Sequence, residues 1–404
     1  MPAPESGPSN TGGTLFRQFT ESLLWRPLPL TRQPSQVKTT SELQKRKLRK
    51  QGAQAGRDFR RNAILATLNN CGEVQFKNNY GNARARENAK FALLPVVASQ
   101  ESAGEPQTET QAEDICALLD EIWELPPPSA LLSVTGSAQD MSLEPQLEKI
   151  FQEGLAAASR ATDAWVVSGG MDAGVMALVG KALAGSNNKT PCIGIAPWRK
   201  VTHREVFEKG HLTGHSNPVS YFKRKPNSHN SSALDVNHTH FLLVDDEREQ
   251  YGGEISTRAS VEASIAKRYT IPTVLLVVQG GPGTFSTVEA SMKMSTRVLL
   301  VRDTRGCAKV ISDYVEPLIE SKAWQLQGKD LEDRLKERDE EFREHLQDLY
   351  QPEQVEKIAQ QLHDIGTRLD YISIFSIKSL GEVRACMPDH DAHSLGASPS
   401  GAAA

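Results

Sequence analysis

Two short stretches carry glycines where a strand is expected to give way to a helix, and these are the places in the sequence where chemistry could be built. In "VVQGGPGTFSTVEA" (277–290), Gly280, Gly281 and Gly283 lie between an apolar run and a helical pattern. Without Cβ atoms they admit positive φ and let backbone amides approach an anion closely. A helix starting near Thr284 then aims its free N–H groups and positive dipole end at that anion. "VVSGGMDAGVM" (166–176) repeats the logic, with Gly169 and Gly170 closing a strand and Gly174 early in the next helix. Neither stretch fits the G-x-G-x-x-G dinucleotide fingerprint, and neither has the Gly-Lys-Ser/Thr of a P-loop. The chemistry implied is phosphate or anion binding on backbone amides.

Other residues invite roles that the spacing leaves open. His238 and His240 flank Thr239 in "NHTHF". They open a strand whose alternation puts both on one face, but two histidines without a third ligand make a poor metal site, so a structural role is expected. Asp245 and Asp246 could hold ribose hydroxyls or cap the turn that follows them. The five cysteines, Cys71, Cys116, Cys192, Cys307 and Cys386, never form a CxxC pair. They imply neither a disulfide framework nor a zinc site and read as reduced, cytosolic thiols.

The elements that must position these residues are regular from about residue 130 to 320. "ALLSVTG", "AWVVSGG", "PCIGIAPW", "HFLLVDD", "TVLLVVQGG" and "RVLLVRD" are short apolar runs ending in polar or glycine residues. Helical periodicity fills the segments between most of them, as in "EPQLEKIFQEGLAAASRAT" and "GEISTRASVEASIAKRY". Continuous apolar strands alternating with helices predict an α/β, Rossmann-like, doubly wound and mostly parallel sheet. Ligands of such sheets bind at the carboxyl ends of the strands, where both glycine turns fall. A helix is expected over "EDICALLDEIWEL" (113–125), and the ordered region is expected to begin near it.

Composition limits the function classes. The chain has 404 residues, 38% hydrophobic and 24% charged, with a net charge of −4, an ordinary soluble-globular balance. Its acidic pI of about 6.2 gives no electrostatic case for nucleic acid as a partner. No apolar run approaches the ~20 residues that cross a bilayer, and "MPAPESGPSNTGG" has no signal-peptide core, so a cytoplasmic chain without a membrane span is expected. Residues 1–65 are rich in Pro, Ser and Gln, then basic in "LQKRKLRKQGAQAGRDFRR". They are expected to be a disordered tail, solvated or touching anionic lipid or an acidic partner.

In this order, "LLSVTGS", "WVVSGGMDAGVMALVGKAL", "IGIAPW", "NHTHFLLVDD", "QYGGEI" and "GGPGT" resemble the N-terminal cytosolic homology region of melastatin-subfamily transient receptor potential (TRPM) cation channels, part of the SLOG superfamily of nucleotide-ligand sensors. The resemblance runs from about Cys71 to Leu380 and is strongest over 130–300. It implies an N-terminal extension over 66–126 packing on a sensor domain at 127–320, a helical extension over 321–380 and a low-complexity tail over 381–404. It is nearest to the ADP-ribose-gated, calcium-permeable member, and it implies ADP-ribose or a related nucleotide as ligand, no required cofactor, and channel subunits, a homotetramer in the family, as partners. In that member a Tyr and an Arg seven residues later belong to an ADP-ribose site, and they match Tyr251 and Arg258. On a helix seven residues is nearly two turns, so the two side chains could share one face. With the strand-end turns, the candidate ligand set is Thr135, Gly136, Gly169, Gly170, Gly174, Asp245, Asp246, Tyr251, Arg258, Gly280, Gly281, Gly283 and Thr284.

The sequence also departs from the family. The family's Val-Asp-Asp-Gly-Thr-His-Gly becomes "VDDEREQYG", with Glu247, Arg248 and Glu249 at the turn, where added carboxylates would weaken an anion site. Gly136-Ser137 stands where members tend to have two glycines, and Arg305 is an approximate counterpart of a later family arginine. The phosphoribohydrolase branch of the superfamily suggests an enzyme as the alternative, but its glutamate position is Thr287 here. Glu289 lies two residues further on, about 200° around a helix. A channel-assembly scaffold is the third reading, with "KDLEDRLKERDEEFREHLQDLY" (329–350) as a solvated charged helix. "VEKIAQQLHDIGTRLDYISIFSI" resembles the stretch that leads toward the channels' armadillo-like repeats and pore. None of those is in the 404 residues, so a stand-alone or truncated product, or a remainder encoded elsewhere, is expected, and conduction is not assigned to these residues.

Overall fold

The computed structural model describes residues 70–77, 88–94, 107–139, 143–185, 189–209, 218–222, 231–247, 249–376 and 383–385. The tail over 1–65 with its basic run, Arg248, Cys386 and nearly all of 381–404 lie outside the described residues.

The apolar runs form the centre of one sheet, as the alternation of strands and helices predicts. β1 (Asn70–Lys77) and β2 (Ala89–Leu94) come first, followed by α1 (Gln107–Ala117), which continues into a π-helical turn over Leu118–Ile122. Then β3 (Leu131–Gly136), α2 (Pro145–Ala161), β4 (Trp165–Ser168), α3 (Gly174–Leu183) and β5 (Cys192–Pro197) alternate. After β6 (Val219–Phe222) and β7 (His240–Val244) the alternation resumes with α4 (Ile255–Tyr269), β8 (Thr273–Val278), α5 (Pro282–Lys293), β9 (Arg297–Val301) and α6 (Gly306–Glu320). α7 (Lys329–Leu349) and α8 (Pro352–Gly366) precede β10 (Ile372–Phe375) and β11 (Val383–Ala385). Pro145, Pro282 and Pro352 open their helices, where a missing N–H costs nothing.

The strand order is β11-β10-β9-β8-β3-β4-β5-β7-β2-β1-β6. Every neighbouring pair from β10 across to β2 is parallel; β10 with β11 and β1 with β2 are antiparallel. The chain builds outward from β3 in one direction through β4 and β5, and from β8 in the other through β9 and β10. The helices that follow sit on opposite faces. Leu132 and Val134 of β3 and Leu276 of β8 pack with α2 and α3, whereas Leu275 and Val277 pack with Phe285 and Val288 of α5 and with α6 and α8. The neighbouring strands β3 and β8 therefore send their chains to opposite sides at their carboxyl ends, and a doubly wound sheet has its ligand crevice at such a switch point.

Two expectations are corrected. The sheet begins at Asn70, well before residue 113, because β1 and β2 bury Val74, Phe76, Phe91 and Leu94 even though charged residues interrupt their pattern. The end of "VEKIAQQLHDIGTRLDYISIFSI" is strand, not helix. Alternate β-branched Ile372 and Ile374 face the α6–α8 core while Phe375 packs on the opposite face, and β10 pairs in parallel with β9.

Candidate functional site

The turn after β3 ties the two glycine turns together. Thr284 Oγ1 donates to Gly136 O (3.3 Å), Ser137 N–H donates to Val278 O (3.4 Å), and Val175 N–H donates to Ser137 O (2.9 Å). Thr135 is buried at the end of β3, paired with Val277. A Cβ at Gly136 would lie 1.9 Å from Val278 O, so only glycine lets these strand ends close up.

The turns themselves differ in what is left to bind. In the turn after β4, Gly170 N–H donates to Ser168 Oγ (3.1 Å), Asp172 N–H to Ala233 O (2.7 Å), and Asp235 N–H to Gly170 O (2.9 Å). Gly170 and Gly174 have φ of 69° and 50°, and added Cβ atoms would lie 2.7 Å from Gly194 Cα and 1.9 Å from Ser137 O. Gly169 is crowded by the Met176 sulfur. These glycines serve close packing, and two of the turn's backbone donors and one of its carbonyls are already engaged, contrary to the expectation that both turns form an open cradle. In the turn after β8 only Gly280 is packed: it has φ of 100°, and its carbonyl accepts from Cys307 N–H (2.8 Å). Gly281, Pro282 and Gly283 are exposed at the start of α5, and a Cβ at Gly281 or Gly283 would meet nothing within 4 Å. The α5 N-terminus is thus left uncovered at the switch point. Arg305, exposed with φ of 67°, caps α6 directly beside it.

Tyr251 and Arg258 do not share a helix face. Tyr251 belongs to the turn before α4 and is 48% exposed, whereas Arg258 is inside the helix and only 6% exposed. Arg258 Nε donates to Glu262 Oε1 (2.9 Å), and Nη2 donates to Ser133 Oγ (2.7 Å) and Val134 O (3.0 Å). Ser133 Oγ in turn donates to Glu262 Oε1 (2.6 Å). This buried network fastens α4 to β3, so removal of the arginine would strand Glu262 in the interior. Glu254, between the two residues, accepts from Gly252 N–H (3.0 Å); burial pushes its carboxyl above the ordinary range against the pull of that bond and of Arg258. Burial, with Glu254 nearby, also raises the Tyr251 hydroxyl.

Asp245 caps the turn, and Asp246 packs within it. Asp245 Oδ1 accepts from Arg199 Nε (2.7 Å) and from Glu247 N–H (3.0 Å), the turn-capping geometry. The Asp246 carboxylate packs against Gly253, where a Cβ would lie 1.6 Å from its Oδ2. The acidic turn is partly neutralised, because Arg204 reaches Glu249 at 3.9 Å. Lys200 was not singled out by the sequence: it lies in the short helical turn Trp198–Lys200 after β5, with its ammonium 5.3 Å from the centre of the Tyr251 ring. A basic pair directly after a strand, in "PWRK", was the signal available.

The histidines are also rearranged. His238 precedes β7 in a turn, so it and His240 reach opposite faces instead of one. His238 Nε2 meets Ser168 Oγ (2.7 Å) and Nδ1 meets Asp235 Oδ2 (2.8 Å), all three buried. Burial opposes its charge, but the neighbouring Cys192 and Asp235 outweigh it and raise the pKa to about 10. His240 packs on Trp123 (4.9 Å between ring centres), and burial first, then Lys90, lowers it to about 3. Among the described residues no group of three or more His, Cys, Asp or Glu side chains could hold a metal, and no helix is long and apolar enough to cross a membrane. Glu289 is engaged away from the glycine turn, accepting from Lys293 and from Gln361 Nε2 (3.0 Å).

A family model described as SLOG in TRPM matches residues 106–362, well over half the chain and the whole of the switch-point region. The chain belongs to this SLOG family. It is 34% identical over 222 residues to the transient receptor potential cation channel subfamily M member-like 2 of Nematostella vectensis, and 34% over 220 residues to subfamily M member 2 of Rattus norvegicus. Subfamily M member 7 of Rattus norvegicus is 31% identical over 220 residues. Each alignment takes in about half of this chain, 50%, 50% and 51%, but only 14%, 14% and 12% of the relative. The SLOG chain described here thus corresponds to a small part of each channel.

Proposed function

We propose that this SLOG chain is a nucleotide-sensing cytosolic region of a melastatin-type, calcium-permeable cation channel, binding ADP-ribose or a related nucleotide across the carboxyl edge of its sheet. The observation that carries the reading is the exposed α5 N-terminus at Gly281–Gly283, unobstructed at the switch point between β3 and β8. Phosphate oxygens rest on that turn, bordered by Thr284 and the β3 end at Thr135 and Gly136. Gly169, Gly170 and Gly174 shape the neighbouring wall by close packing. Tyr251 offers its exposed ring to a base or ribose, Asp245 and Asp246 hold the turn that carries it, and Arg258 fixes α4 beneath. Family membership and the channel relatives support the cytosolic-region part of the reading.

In this reading the partners are the channel's other domains and subunits, on the cytoplasmic face of the plasma membrane. Gating then requires that the ligand bind open and closed states with different affinity; tight binding alone shifts nothing. The test is calorimetric titration of the whole chain with ADP-ribose, followed by analysis of the ligand for released base or ribose phosphate. Saturable binding of an intact ligand is expected. Turnover would replace the sensor by an enzyme, and absence of any heat of binding or ligand loss would leave an assembly scaffold.

A further inference from the structure

We infer that Gln279 recognises the sugar of the ligand, its side-chain oxygen accepting from a hydroxyl carried next to the phosphate, so that the site selects a sugar phosphate over phosphate alone. The inference rests on the proposed phosphate seat at the α5 N-terminus and deepens it. Gln279 follows β8 and stands directly before the Gly280–Gly283 turn. Its φ of 60° lies in the left-handed region, which a glutamine rarely adopts. The backbone is pinned there on both sides: its N–H donates to Thr304 Oγ1 (2.7 Å), and its carbonyl accepts from Ala308 N–H (2.9 Å). The side chain sets out beside the start of α6, where a Cβ added at Gly306 would come 3.2 Å from Gln279 Cγ. At its end, Oε1 is buried with no hydrogen-bond partner.

Folding alone gives no reason for this residue. Glycine would adopt the same backbone without strain, and methionine would fill similar space without an unpaired buried oxygen. Left-handed strain at a non-glycine residue persists where the surroundings over-determine it, and such residues cluster at ligand clamps. The partner that Oε1 needs is chemically defined, because an amide oxygen takes only a donor. A phosphate held by the α5 amides acts as an acceptor, whereas the sugar attached to it carries hydroxyl donors. Gln279 as a whole is only part-buried, and its amide ends a chain of rotatable bonds, so Oε1 can turn outward to a hydroxyl while the backbone stays pinned. A site built around such a bond rejects the analogue lacking the hydroxyl, since the acceptor is then left unpaired.

Ligand-detected NMR titrations of the whole chain with ribose 5-phosphate and with inorganic phosphate test this, on the unaltered protein, Gln279→Met and Gln279→Glu, with ligand-free thermal unfolding of each. The readout is the ratio of the two affinities, in which any change at the phosphate seat cancels. The unaltered chain should prefer ribose 5-phosphate about tenfold. Gln279→Met should bring the ratio close to one, and Gln279→Glu, which keeps an acceptor oxygen at the same reach, should preserve it. Ligand-free Gln279→Met should unfold at the same temperature or higher, because an unpaired oxygen has left the interior. Gln279→Gly removes the amide and the backbone strain together and serves if the methionine does not fold. A ratio near one in the unaltered chain, or a ratio unmoved in folded Gln279→Met, overturns the assignment; ADP-ribose binding that persists in those cases leaves the nucleotide reading in place. Loss of the preference in Gln279→Glu as well as in Gln279→Met overturns the acceptor role, and failure of the unaltered chain to bind either probe overturns the whole. Preference for ribose 5-phosphate that depends on Gln279, in a chain that never binds ADP-ribose, would sink the nucleotide reading and leave this inference standing.

Discussion

The turns after β4 and β8 are alike in sequence and opposite in use. Both place paired glycines at the end of an apolar strand and a further glycine near the start of a helix. After β4, the Ala233–Asp235 segment takes backbone hydrogen bonds on both sides of Met171, and Ser168 and Ser137 take two more N–H groups. After β8, the α6 N-terminus leans on Gln279 and Gly280 through Ala308 and Cys307, but Gly281–Gly283 stay uncovered. Glycine content signals that backbone must come close to something. Whether that something is the protein or a ligand is decided by a segment remote in sequence.

The widest break between the two turns is expected in stability. Gly174→Ala puts a Cβ 1.9 Å from a backbone oxygen at φ of 50°, and should cost roughly 3 to 4 kcal/mol in urea unfolding. A loss below about 1 kcal/mol would mean that the closed turn can open, and the contrast would fail. Next in size is a pH effect confined to the closed turn, whose Ser168 is bonded to His238. A pKa raised from 6.5 to about 10 means the protonated ring stabilises the fold fully below pH 6.5. That contribution falls as pH climbs from 6.5 through 10. Unfolding of the unaltered chain and of His238→Gln, compared from pH 6.5 to 9, should converge as pH rises; parallel curves would show that the ring is neutral.

How much of this was legible before the fold was known depends on range. β3, β4, β5, β7, β8 and β9 announce themselves because strands buried on both faces are continuously apolar. β1 hides because Gly72, Glu73 and Lys77 break its pattern, and β10 because four residues at the end of a helical period leave little to read. At the site, the glycine turns and Tyr251 were visible, but not which turn is occupied by its own protein. Arg258 and Glu262 stand at helical spacing, yet nothing local says that Ser133, on a strand 125 residues earlier, completes their network. His238 and His240 were misjudged because strand alternation was extended two residues too far, into a turn.

The open turn should answer in affinity instead of stability. Gly283→Asp sets a carboxylate at the second position of α5, where the helix dipole tolerates or welcomes it, so unfolding should be unchanged or slightly harder. The same charge stands where a phosphate would rest, and ADP-ribose affinity should drop about tenfold, or 1.4 kcal/mol. Equal affinity in titrations of the two proteins would move the anion off this turn.

The smallest effect is the most discriminating. Gly283 lies within α5 without positive φ, and a Cβ there meets nothing within 4 Å. Gly283→Ala should therefore stabilise the chain by about 0.5 to 1 kcal/mol through helix propensity and a less flexible unfolded state. Thermal or urea unfolding reads this directly, and a loss would show that the turn is packed like its counterpart after β4. If the gain is found, glycine at 283 is a choice against stability. Local folding gives no reason for such a choice, whereas close approach of an anion to the α5 amides does, since a methyl group on that surface would stand between them. A stabilised Gly283→Ala chain with weakened ADP-ribose binding would join the two halves of the contrast in one residue.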